Sequence, residues 1–138
     1  ILLTGAGGLL GSTMLSLFKD TFEIVGYTRH DLDVVDYKEV QNKISFENPD
    51  IIIHVAANTN AEECEGNKNL AYNVNTIGTQ NIVNAVLGSN KNTVLVYLSS
   101  TGIYGAGKTS PYTEYDPVIP TTVHHKSKLE DSLQRKLQ

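Results

Sequence analysis

Apolar residues fall along this chain in two alternating patterns. Short, mainly apolar runs occur at "ILLT" (residues 1–4), "FEIVGYT" (22–28), "DIIIHVAA" (50–57) and "TVLVYLSS" (93–100). They are too short for helices and rich in β-branched residues. Continuous runs of this kind suit strands of a parallel sheet covered on both faces. Between them the apolar positions spread to helical spacing. Leu10, Met14, Leu17 and Phe18 form the inner stripe predicted for "LLGSTMLSLFK". Val35, Val40 and Ile44 form that of "VVDYKEVQNKISFEN", which Pro49 closes. A long helix is predicted over "NLAYNVNTIGTQNIVNAVLGSN", with Gly78 inside it. Pro111, Pro117 and Pro120 mark an irregular stretch before a last helix that begins near Thr121. Strands alternating with helices require crossover connections. The prediction is an α/β fold, a Rossmann-type doubly wound parallel sheet with helices on both faces. With no fixed repeat and no low-complexity linker, residues 1–138 read as one dinucleotide-binding domain.

The first strand-to-helix turn carries the chemistry that points to a dinucleotide. "TGAGGLLG" places Gly5, Gly8 and Gly11 as G-x-x-G-x-x-G, with Leu9 and Leu10 opening the helix. Such a turn needs backbone angles that side chains resist. A pyrophosphate also has to approach the backbone, where a Cβ would obstruct it, and the helix N-terminus then meets the phosphates. The glycine spacing alone is a weak signal; at the first turn of a βαβαβ pattern it is a strong one. An acidic residue at the end of the second strand would favour NAD. That end reads "GYTRHD", with Arg29 ahead of Asp31, so Arg29 is a candidate partner for a 2′-phosphate and NADP(H) is expected over NAD(H).

Composition narrows the partners. Of 138 residues 40% are hydrophobic and 19% charged, with a formal net charge of -4, which argues against nucleic acid, whose binding favours a basic stripe. No apolar run approaches the roughly 20 residues of a membrane span. The chain opens on "ILLTGAGG" with no charged segment ahead of it, so a cytoplasmic setting is the expectation. Cys64 is the single cysteine, and its carboxylate neighbours in "AEECEGN" should raise its pKa and leave it inert. Glu62, Glu63 and Glu65 resemble a metal cluster only in number; a solvated helix start is expected there, and no metal.

With these segments in place, the chain resembles the extended short-chain dehydrogenases, and among them the dTDP-4-dehydrorhamnose reductase group of sugar-nucleotide reductases. "ILLTGAGGLLG" resembles that family's cofactor turn. "DLDVVD" resembles a segment that would put Asp33 and Val34 beside the adenine. "PDIIIHVAANTN" would line the cofactor groove with Ala56, Ala57 and Asn58. "AYNVNTIGTQN" points at Asn75, and "YLSSTGIYGAG" aligns Ser100 with the catalytic hydroxyl. "SPYTEYDPVIPTTVHHKSKLE" matches the region of the catalytic tyrosine and lysine. The resemblance implies a nucleotide-linked keto-sugar as substrate and leaves room for a homodimer. Epimerases and dehydratases of sugar nucleotides share the same frame. Family members run to about twice this length, so the portion that recognises the sugar nucleotide is expected to be absent from these residues.

One position departs from the family pattern. Where a tyrosine precedes lysine by four residues, this chain has His124 and Lys128. In the family the tyrosine gives a proton to the carbonyl oxygen and the lysine holds the nicotinamide ribose. An imidazole starts from a pKa near 6.5, and a neighbouring ammonium pushes it lower. The site is then either a reductase best at mildly acidic pH or a binding site without turnover. The regulatory subunit of methionine adenosyltransferase, which resembles these reductases, makes the second a real alternative. Tyr104, Tyr112 and Tyr115 are other candidate acids, but none has a lysine four positions later. His125 has no partner at the family spacing and is expected to be solvated or loosely packed. His54, at the end of the isoleucine strand, is expected to be a hydrogen-bonded supporting group.

Overall fold

The computed structural model describes residues 1–105 and 107–134. Four parallel strands, β1 (Leu2–Thr4), β2 (Val25–Tyr27), β3 (Ile51–His54) and β4 (Val94–Tyr97), form one sheet in the order β2-β1-β3-β4. The register pairs Leu3 with Gly26 on one side and Ile53 on the other, and Ile53 with Val96. The helices are α1 (Leu9–Phe18), α2 (Tyr37–Glu47), α3 (Ala61–Gly66), α4 (Lys68–Tyr72), α5 (Gly78–Leu87) and α6 (Val123–Gln134). From β1 the chain steps outward to β2 and then back across to β3. Right-handed crossovers therefore put α1 and α2 on opposite faces of the sheet. This is the Rossmann-type arrangement that the sequence pattern predicts.

Two compact units emerge. The first comprises Ile1–Ala57 and Ile77–Leu98; the second comprises Asn58–Thr76 and the described residues from Ser99 onward. In the first unit β1 and β3 are covered on both sides. Leu3, Ala6 and Ile53 cluster on one face with Met14, Leu15 and Phe18 of α1. Leu2 and Ile52, one position along their strands, project to the other face. Val40 and Ile44 of α2 and Ile82 and Ala85 of α5 are buried, and these two helices pack on each other. β4 lies at the sheet edge, and there Val94 and Val96 are exposed.

Local chemistry sets the boundaries. Asp36 caps α2 by accepting from the N–H groups of Lys38 and Glu39, so that helix begins two residues after Val35. Asn48 closes it in the left-handed region. The stripe predicted for α1 is rotated: Leu10 and Leu17 are exposed, and Leu15 takes the inward place. The long helix predicted around Gly78 is present: α4, a π-helical turn over Asn73–Ile77 and α5 follow one another without a gap, and Gly78 lies inside the run. The extra residue in that turn shifts the helical phase, and periodicity alone does not reveal such a shift.

In the second unit α6 packs against α3 and α4. Its small core joins Cys64, Ala71 and Val123, with Tyr72 against them. A 3-10 turn over Thr101–Tyr104 follows β4 and contacts α6. No helix among the described residues is long and apolar enough to cross a membrane.

Candidate active site

The glycine turn of the first unit is built by steric exclusion. Gly5 has φ +72°, and a Cβ there would stand 2.7 Å from the Ala56 nitrogen. A Cβ at Gly11 would overlap the Gly5 carbonyl oxygen and lie 2.8 Å from its carbon. Gly5 and Gly11 are thus required by the protein itself, one by the turn and the close passage of β3, the other by the seating of α1. Gly8 is different. A Cβ there would meet only the Gly5 oxygen, at 3.4 Å, an ordinary contact. Gly8 is the residue before α1 and gives it no side-chain cap. The first N–H groups of any helix lack partners within it and attract anions. A glycine that the fold does not need, at an uncapped helix start, fits a phosphate approaching the backbone. Leu9, 90% exposed, and Leu10, half-exposed, lie at this open end.

At the end of β2, Arg29 is exposed. Asp31 Oδ2 accepts from the Thr28 N–H at 3.1 Å and from the Thr28 hydroxyl at 2.6 Å. These bonds hold the Asp31 carboxyl below its usual pKa. The Tyr27 hydroxyl donates to Glu47, with Lys43 over its ring, and burial followed by the Glu47 bond pushes its pKa up to about 12. Asp33 caps the Val35 N–H. Val34 is buried, and its carbonyl accepts from Asn81. Ala56 and Ala57 follow β3, half-buried, with Ala56 against the glycine turn.

The second unit gathers the polar residues that the family pattern singles out. Lys128 is only 4% exposed. One turn earlier on α6, His124 has its Nε2 buried and without a hydrogen-bond partner. Burial lowers the His124 pKa below 6.5, with smaller contributions from His125 and Lys128. The sequence had named the lysine as the cause; removal from water outweighs it. The backbone beneath this pair is fastened by a buried network. The Asn75 carboxamide accepts from the Asn58 N–H at 2.7 Å and donates to the Asn58 carbonyl at 3.0 Å. It also donates to Ser127 Oγ at 2.9 Å. Ser127 Oγ in turn donates to the His124 carbonyl at 2.8 Å, and Thr76 donates to the Ser127 carbonyl at 2.8 Å. Asn75 and Ser127 are fully buried.

Ser100 is half-buried, and its hydroxyl caps the 3-10 turn by accepting from the Gly102 N–H. His125 is not loosely packed as expected. Its ring lies over Gly102, where any Cβ would overlap it, and its Nδ1 meets the Thr122 hydroxyl at 3.0 Å. Of the three tyrosines, Tyr104 and Tyr112 stack with ring centroids 4.9 Å apart, and Tyr115 is 96% exposed. The acidic segment at α3 has structural duties: Glu65 accepts from the Val123 N–H at 2.8 Å, and Glu63 accepts from Asn58 Nδ2. Cys64 is buried, and burial followed by Glu63 and Glu65 raises its pKa. Ser127, Thr76 and Gly102 lie within the quoted segments, but nothing in the sequence singles them out there. Only the fold brings Thr76 and Gly102 to α6.

The model of the RmlD substrate binding domain family matches residues 1–134. The chain belongs to this family. It is 31% identical over 129 residues to the spore coat polysaccharide biosynthesis protein SpsK of Bacillus subtilis, covering 93% of this chain and 45% of that one. It is also 31% identical, over 132 residues, to a dTDP-4-dehydrorhamnose reductase of Aggregatibacter actinomycetemcomitans, covering 94% and 44%. The dTDP-4-dehydrorhamnose reductase of Bacillus anthracis, solved in complex with NADP, superposes with a TM-score of 0.90 at 28% identity, over 99% of this chain and 48% of that one. The RmlD-family chain therefore spans less than half the length of the curated relatives it matches.

Proposed function

We propose that these residues form the dinucleotide-binding part of an NADPH-dependent reductase of a nucleotide-linked keto-sugar, with His124 as its proton donor. The observation that carries the reading is on α6. A buried imidazole nitrogen without a partner stands one turn before a buried lysine, at the spacing the family reserves for its acid and its ribose-binding cation. A buried nitrogen without a protein partner is costly unless a water or a ligand supplies one. Support for the cofactor comes from Gly8 and the uncapped start of α1, and from the NADP-bound relative. Gly5, Gly8, Gly11, Leu9 and Leu10 would hold the pyrophosphate, and Arg29 the 2′-phosphate. Asp31, turned onto Thr28, is engaged away from a ribose.

The nicotinamide, when bound, supplies a hydride to the carbonyl carbon. The chain's own part is the proton. His124 Nε2 would deliver it to the carbonyl oxygen and regain one from solvent, so that ketone, hydride and one proton become alcohol. Ser100 orients that oxygen by hydrogen bonding. Lys128 binds the ribose, and its charge disfavours the imidazolium, which makes the held proton more acidic. The test is loss of NADPH absorbance when the full-length protein is mixed with dTDP-4-dehydrorhamnose and with related nucleotide keto-sugars. Turnover on one of them is expected. Dinucleotide binding without turnover on any would replace the reductase with a binding-only protein. Bound cofactor with no net redox change would indicate an epimerase.

A further inference from the structure

His54 ends β3 with its side chain fully buried, and both ring nitrogens meet threonine hydroxyls. Nδ1 lies 2.7 Å from Thr4 Oγ1, and Nε2 lies 3.0 Å from Thr79 Oγ1. The ring also stacks on Tyr97 of β4, with centroids 6.0 Å apart and planes at 26°. The three bonded residues belong to three elements: Thr4 is the last residue of β1, His54 the last of β3, and Thr79 lies in the first turn of α5. Thr4 is also the residue before Gly5. Its hydroxyl oxygen accepts from the Ala56 N–H at 3.3 Å. The same Ala56 nitrogen is what a Cβ at Gly5 would strike at 2.7 Å.

From this geometry we infer that His54 is a positioning residue for the glycine turn, acting through Thr4 to set the separation of that turn from Ala56. The inference rests on the dinucleotide reading of the turn. The Thr4 oxygen also receives the Ala56 N–H, and a hydroxyl can donate once and accept twice, so either neutral tautomer of His54 joins Thr4 to Thr79. The pin matters to a ligand because the turn has little slack. Gly5 already passes Ala56 at the limit of contact, and phosphate-binding N–H groups must be held at hydrogen-bond distance to be effective.

The experiment has two arms on the full-length protein. Long-range proton–nitrogen NMR of the native chain should show His54 in one fixed neutral tautomer, because both ring nitrogens are held by hydroxyls. Averaging between the two tautomers would overturn the relay. In the second arm, NADPH affinity by calorimetry is compared in wild type, His54→Leu, His54→Asn and Thr4→Val. Asparagine keeps a polar atom near the Nδ1 place, whereas leucine keeps none; Thr4→Val removes the other end of the bond without changing shape. A loss of about tenfold is expected for His54→Leu and Thr4→Val, with His54→Asn recovering most of it, the scale of one buried hydrogen bond. The recovery should appear even though Asn and Leu lower the denaturation midpoint alike, which separates positioning from loss of packing. Wild-type affinity in Thr4→Val, or affinities that simply follow the midpoints, would refute the role. If wild type itself bound no dinucleotide, the cofactor reading would fail first, and the role with it; unchanged affinity in variants of a binding wild type would defeat this inference alone.

Discussion

At Gly8, valine should weaken NADPH binding by well over tenfold while leaving the fold intact. Its Cβ has room in the protein, and only an incoming phosphate would meet it. Calorimetry beside a far-UV spectrum separates the two effects, and unchanged affinity in a folded variant would remove the turn from the cofactor site. Alanine at Gly11 should instead destabilise the chain by more than about 2 kcal/mol, as overpacking against backbone does. The spacing of the glycines was legible in the sequence. The division of labour among them was not, because it depends on which backbone passes each Cα. Arg29 raises the opposite case, a residue whose exposure the sequence does not fix. If it holds the 2′-phosphate, Arg29→Ala should narrow the preference for NADPH over NADH by about tenfold or more, the scale of a charge-assisted bond. Equal ratios in the two proteins would make it a bystander.

Among elements, α6 depends on one hydroxyl more than its sequence suggests. Ser127 accepts from Asn75 and donates to the His124 carbonyl, so Ser127→Ala leaves a buried donor without one of its partners. A loss of about 1–3 kcal/mol in chemical denaturation is expected, and a change within error would mean that the network relaxes around the gap. The sequence read α6 correctly as a helix but could not supply its anchor. Ser127 lies on the helix among ordinary polar residues, and Asn75 belongs to a π-helical turn inside the long helix that hydrophobic periodicity does not reveal. The α1 stripe shows the same limit. Leu10, Leu15 and Leu17 are chemically alike, and only the crossing of helix over sheet decides that Leu15 is inward. Short buried strands were the easiest elements to read, since Leu2, Leu3, Ile52 and Ile53 allow no other use in a chain of this composition.

For the molecule as a whole, His124 links folding and catalysis to pH with opposite signs. Its folded pKa lies below the unfolded value of about 6.5, so above that pH both states are neutral and stability is full. Below it the unfolded chain binds the proton first, and stability falls until pH passes below the folded pKa. His124→Gln should flatten this part of the curve below about pH 6.5. The same depressed pKa governs the proposed reaction, because the imidazolium is the competent acid and only a minority of rings carry the proton at neutral pH. The fold and the glycine turn were readable from the pattern of strands and glycines. The state of His124 was not, since burial, the largest cause of its shift, is a property of the folded chain. The measurement that bears most directly on the central claim is a pH–rate profile of hydride transfer for full-length wild type and for His124→Tyr. Wild-type rates should fall as pH rises through a value below about 6.5, and the tyrosine variant should turn over faster at about pH 8. A flat wild-type profile with no gain in the tyrosine variant would contradict His124 as the proton donor.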